Sequence, residues 1–152
     1  MRRFYRVFVA LALVACAAPL AAQYGRLVEA AANGDGPSVG DCILILGAAA
    51  GSLEPESGAD AARASLSGLG YRLPEAPDAD RISYAEFSYL IVQLFDLPYG
   101  FAYRVLPGPR TAFREAARLG LLPPGARPER AVVGPDVLYA LRALEAQGRG
   151  KP

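Results

Sequence analysis

The stretch Ile82-Ser83-Tyr84-Ala85-Glu86-Phe87, continued by Leu90, Ile91 and Leu94, decides the fold. Ser83 followed three residues later by Glu86 is a capping box. The hydroxyl accepts from the amide of Glu86 while the carboxylate returns to the amide of Ser83, so fewer donors at the helix start are left unpaired. Phe87, Leu90, Ile91 and Leu94 then recur at helical spacing, which predicts a helix over 84–96. That helix is apolar nearly all round and therefore belongs at the centre of a core.

Working outward, Ser38 with Asp41 repeats the capping box. A third start is expected at Gly134 as cap, with Pro135 at the first helical position and Asp136 in the first turn, ahead of Val137, Leu141 and Leu144. Sliding the chain by 50 residues aligns Ala62 with Ala112, Leu69 with Leu119, Gly70 with Gly120, Pro74 with Pro124, Ala76 with Ala126, Tyr89 with Tyr139 and Leu94 with Leu144. Seven identities fall in 33 positions, where composition alone would give about three. Gly34, Gly70 and Gly120 suit the left-handed C-terminal caps of the smaller helices, as Gly51 and Gly148 suit the ends of the second ones. The expected fold is all-α: three helix-loop-helix units at about 24–50, 57–96 and 110–147, followed by a tail over 149–152.

The N-terminus has the order of a secretory signal: Arg2, Arg3 and Arg6, then the uncharged run Val7 to Ala18, then small residues up to Ala22. Residues 1–22 are expected to be removed. Leu13-Val14-Ala15-Cys16 resembles a bacterial lipobox, which would place cleavage before Cys16 and a diacylglycerol on its thiol; ordinary signal peptidase would instead cut before Gln23. The expected location is the bacterial cell envelope, in the periplasm or at the outer membrane, with membrane attachment only through that lipid.

Composition excludes more chemistry than fold. The 152 residues contain no His, so His-dependent nucleophilic catalysis and His-ligated metals are absent. A net charge of +1 leaves no nucleic-acid footprint, and the body after residue 22 carries 13 basic against 15 acidic residues, so it is not polybasic. Cys42, within an apolar run, is expected to be a buried and inert thiol. Setting Glu86 at the end of a calcium loop puts Pro77 and Ala79 at ligand positions and Asp80 where Gly is required, so no metal site is expected. Glu75, Asp78, Asp80 and Glu86 could supply the carboxylate pair of a glycan hydrolase, but nothing in the pattern pairs them. A non-enzymatic protein without cofactors is the expectation.

Ile82 to Phe87 resembles the second-helix start of the S-layer homology family, Ile-Thr-Arg-Ala-Glu-Phe, and the steps Leu69-Gly70 and Leu119-Gly120 are similar to the end of that family's first helix. The resemblance implies a pseudo-threefold helical bundle that anchors proteins to cell-wall polysaccharide or a peptidoglycan-linked polymer. The family's Arg falls on Val39, Tyr84 and Gly134, its first-helix Trp has no counterpart, and only the acidic position survives, as Asp41, Glu86 and Asp136. An envelope protein is therefore the alternative partner, with the chain serving as an interaction or assembly factor. Between the second and third units, Phe101, Tyr103 and Val105 alternate as in a strand. Tyr99, Phe101 and Tyr103, with Arg110 and Arg114 nearby, form the candidate surface for ligand or partner, against packing of the aromatics across the bundle.

Overall fold

A computed structural model describes residues 36–53 and 58–149. Among these the fold is all-α, with six helices and no strand: α1 (Val39–Ala49), α2 (Ala59–Gly68), α3 (Tyr84–Leu94), α4 (Phe101–Val105), α5 (Pro109–Arg118) and α6 (Gly134–Ala146). The expected signal segment with Cys16, the helix expected first in the first unit, Gly34 and the last three residues lie outside the described ones.

The capping boxes form as the spacing predicts. Asp41 Oδ2 accepts from the Ser38 amide at 3.0 Å, and Ser38 Oγ accepts from the Asp41 amide at 3.1 Å. Glu86 Oε2 and the Ser83 amide meet at 3.1 Å, with the return bond at 3.3 Å. The third start is corrected by one residue, because Val133 is the cap and Gly134 the first helical residue. Valine has no side-chain acceptor, so only half of the box survives there, Asp136 Oδ2 accepting from the Val133 amide at 3.3 Å. Gly51, Gly70, Gly120 and Gly148 all take positive φ, the left-handed conformation that lets each helix end.

Helix α3 is central. Phe87, Leu90 and Ile91 are fully buried, and α3 packs most extensively on α5. The face of α5 that meets the core is built from Ala112 and Ala116, fully buried and one turn apart, and such small side chains let two backbones approach closely. Ser88 of α3, also fully buried, satisfies its hydroxyl by donating to the carbonyl of Tyr84 at 2.6 Å. Cys42 is buried on α1, and its thiol is pushed up first by that burial and then by the charge of Asp41, so it stays protonated and inert.

The repeat is visible in the backbone joints between units. The amides of Val39 and Gly40 donate to the carbonyls of Asp80 and Asp78, at 2.8 and 3.0 Å, and Ile82 donates back to Pro37 at 3.5 Å. One unit later, Tyr84 and Ala85 donate to Arg130 and Pro128, at 2.9 and 3.0 Å, and Val132 donates back to Ile82 at 3.0 Å. Each helix start thus spends its free N–H groups on the loop of the following unit, which ties the units in sequence order. At the first joint a Cβ on Gly40 would lie 3.1 Å from Asp78 Cβ and 3.2 Å from Ala59 Cβ, so glycine permits the contact. Gly36, at φ +106°, brings the segment before α1 against the segment before α6, where a Cβ would meet the Val132 carbonyl at 2.8 Å. Threefold pseudo-symmetry needs a third hydrogen-bonded joint; two of its three equivalent donor positions are Pro37 and Pro135, which have no N–H, and the equivalent acceptors precede Gly36, outside the described residues.

Candidate functional site

The segment between the second and third units is not extended. Phe101–Val105 is a short helix, so Phe101 and Val105 share one face while Tyr103 points to the other. This separates the candidate surface residues. Tyr103 is only 7% exposed and belongs to the core, its ring 6.5 Å from that of Tyr89 and 4.9 Å from that of Tyr99. Tyr99 is 37% exposed, packed on Tyr103 from outside, with the Arg104 guanidinium 5.9 Å from its ring centre. Phe101 is 81% exposed, and Val105 and Leu106 reach 61% and 70%. Period 2 would put 101, 103 and 105 on one face, whereas the helical turn sets 103 opposite 101 and 105, and five residues are too few for the sequence to separate the two.

Arg110 and Arg114 are exposed on α5 and make no ion pair among the described residues. Arg118, four residues further on, does not extend their stripe. It turns to Glu115, 2.9 Å away, and donates to the Pro98 carbonyl at 3.0 Å. Glu115 itself is buried, with Gly100 so close that a Cβ there would lie 2.8 Å from Oε1, and this packing seats α4 on α5.

An open cleft of about 550 Å³ separates the start of α3 from the α4–α5 turn. Ser83, Ala85 and Glu86 line one wall and residues 106–111 the other, placing Glu86 and Arg110 on the same cavity. The sequence missed the cleft because its two walls are twenty or more residues apart and joined only by tertiary packing.

The positions that hold Arg in the resembling motif are filled differently. Val39, Tyr84 and Gly134 are all buried. The Tyr84 hydroxyl donates to Asp136 Oδ2, so one carboxylate both caps α6 and anchors α3. Asp41 and Glu86 are likewise held by their capping serines. Of the other acids, Asp78 accepts from Arg63 of α2 at 2.8 Å, and the same guanidinium donates to the carbonyls of Pro74 and Ala76, at 2.7 and 3.2 Å. Asp78 therefore fixes a loop. Among the described residues no group of three or more His, Cys, Asp or Glu side chains converges as for a metal ion, and no helix is long and apolar enough to cross a membrane.

Burial foremost, then the neighbouring Tyr89 and Tyr99, pushes the Tyr103 hydroxyl up to about 12, against an opposing pull from Arg72. Tyr84 is pushed up too, by burial and then by its bond to Asp136. A tyrosine whose folded value exceeds the unfolded value of about 10 stabilises fully below pH 10 and loses that contribution as pH rises through the folded value. The urea midpoint is accordingly expected to hold level to about pH 9.5 and to fall between about pH 10 and 12. Tyr103→Phe should flatten part of that decline, and an unchanged slope in this variant would contradict the assignment.

No family model matches the chain, and neither a curated protein nor a solved structure matches it.

Proposed function

We propose that this protein is an exported, non-catalytic binding module of the bacterial cell envelope, built from three degenerate units resembling the S-layer homology family, and that it holds an anionic envelope polymer. The observation that carries this reading is the cleft between the second and third units, where Arg110 stands without an acidic partner among the described residues. A guanidinium at the mouth of an open cavity suits carboxylate or phosphate groups spaced along a chain, since its planar fork binds them in pairs. Cell-wall polysaccharide and peptidoglycan-linked polymers have that chemistry. Export follows from the signal-like N-terminus, and lipidation at Cys16 would retain the module at a membrane.

A second reading has its own support. The three positions that hold Arg in the resembling motif are buried and uncharged here, which favours a scaffold that has exchanged polymer for an envelope protein partner. Co-sedimentation with isolated sacculi separates the two. The protein is expected to pellet with intact sacculi and less with sacculi stripped of secondary polymers. Arg110→Ala with Arg114→Ala should weaken pelleting and reduce its salt dependence, because each lost cation removes a screened attraction. Pelleting that is absent with intact sacculi, or unchanged in the double variant, puts the protein-partner reading ahead.

A further inference from the structure

Phe101 and Val105 lie one turn apart on the outer face of α4, and Leu106 continues that face into the turn. Exposures of 61–81% on three large apolar side chains within six residues describe an apolar crest open to solvent, of the kind that marks a protein or membrane contact. Charge is distributed unevenly around it. From position 97 to 114 the chain carries three arginines, Arg104, Arg110 and Arg114, and no acid, whereas the rest of residues 23–152 carries ten basic against fifteen acidic residues. The near-neutral total conceals three arginines on the segment that bears the crest, with Glu86, among the described residues, the one acid that lines the cleft beside Leu106 and Arg110. Arg104 sits three residues from Phe101 on the same helix, its guanidinium 5.9 Å from the ring centre of Tyr99, which packs on Tyr103 at the other side of α4.

We propose that this crest docks on an anionic lipid surface, with Phe101, Val105 and Leu106 entering the headgroup–acyl boundary and the flanking arginines meeting the headgroups. A lipid surface accepts a convex apolar ridge without shape complementarity, and cations beside the ridge add attraction to acidic headgroups. Together with a lipid at Cys16, the crest would give the two weak signals that stable attachment needs and would orient the body against the membrane. The inference does not rest on the polymer reading, although Leu106 and Arg110 also line the cleft.

The chain contains no Trp, so Phe101→Trp in the full chain places a single fluorescent reporter on the crest. With phosphatidylglycerol vesicles its emission is expected to shift to the blue and to be quenched by brominated lipid, and with phosphatidylcholine vesicles to do neither. Tyr139→Trp, exposed on α6, should stay unshifted. Adding Arg104→Gln and Arg114→Gln to Phe101→Trp should move the inserted fraction roughly 30-fold toward the free state, the equivalent of about 1 kcal/mol per arginine at an anionic surface. No shift at position 101 with anionic vesicles overturns the proposal. So does an equal shift at position 139, or a shift that follows protein concentration or added sacculi in the absence of lipid, which would give the crest to a second copy or to the polymer.

Discussion

Leu90→Ala is expected to lower the free energy of unfolding by about 2 to 5 kcal/mol, read as a reduced urea midpoint with unchanged slope. Leu90 is fully buried on α3, the helix that contacts both α1 and α5, and close-packed surroundings collapse only in part into a void left there. The cost should lie toward the upper half of that range. Leu94, one turn later, retains 7% exposure near the helix end, where neighbours can relax, and Leu94→Ala should cost less. Ser83→Ala removes one cap and should cost about 1 kcal/mol. Its cost stays small because the amides of Tyr84 and Ala85 remain bonded to the carbonyls of Arg130 and Pro128. Equal, small effects at all three positions would mean that the centre of the core lies away from α3.

Helix starts and ends were legible because their chemistry is local. Ser83 and Glu86 recognise each other across three residues, and the glycines at 51, 70, 120 and 148 answer a steric demand that no distant contact alters. The third start was displaced by one residue for the same reason. Val133 offers no side-chain oxygen, so the local signal pointed to Gly134, although Val133 stands thirteen residues after Gly120 as Ser83 does after Gly70. What stayed hidden depends on which elements meet. The cleft joins Glu86 to Arg110 through the packing of α3 on α5, and no periodicity in either segment encodes it. Tyr84 shows the same limit. By spacing it stands in an arginine's place, yet its bond to Asp136 is a contact between residues 52 positions apart. The two joints between units are recurrent in structure but are made by backbone groups, which is why seven scattered identities suffice to preserve them.

Tyr103→Ser and Phe101→Ser are expected to part company, although the two residues are separated by one position. Tyr103 is 7% exposed, and its ring is held between Tyr89 of α3 and Tyr99. Replacing it with serine removes two tilted aromatic contacts together with most of the buried area, and leaves a cavity beneath α4. A loss of about 3 to 5 kcal/mol follows, of the size seen when a buried aromatic is truncated. Phe101, at 81% exposure, has little area to lose, and Phe101→Ser should leave stability within about 0.5 kcal/mol of the parent. Its effect should instead appear in binding to anionic vesicles. Thermal unfolding of the two single variants, run beside the vesicle assay, tests the division directly. Tyr103→Ser should fail in stability first, with any loss of docking following from a loosened α4, whereas Phe101→Ser should lose docking while melting as the parent does. Comparable melting temperatures for both variants would return Tyr103 to the surface and remove the reason for treating the outer face of α4 as a separate docking element.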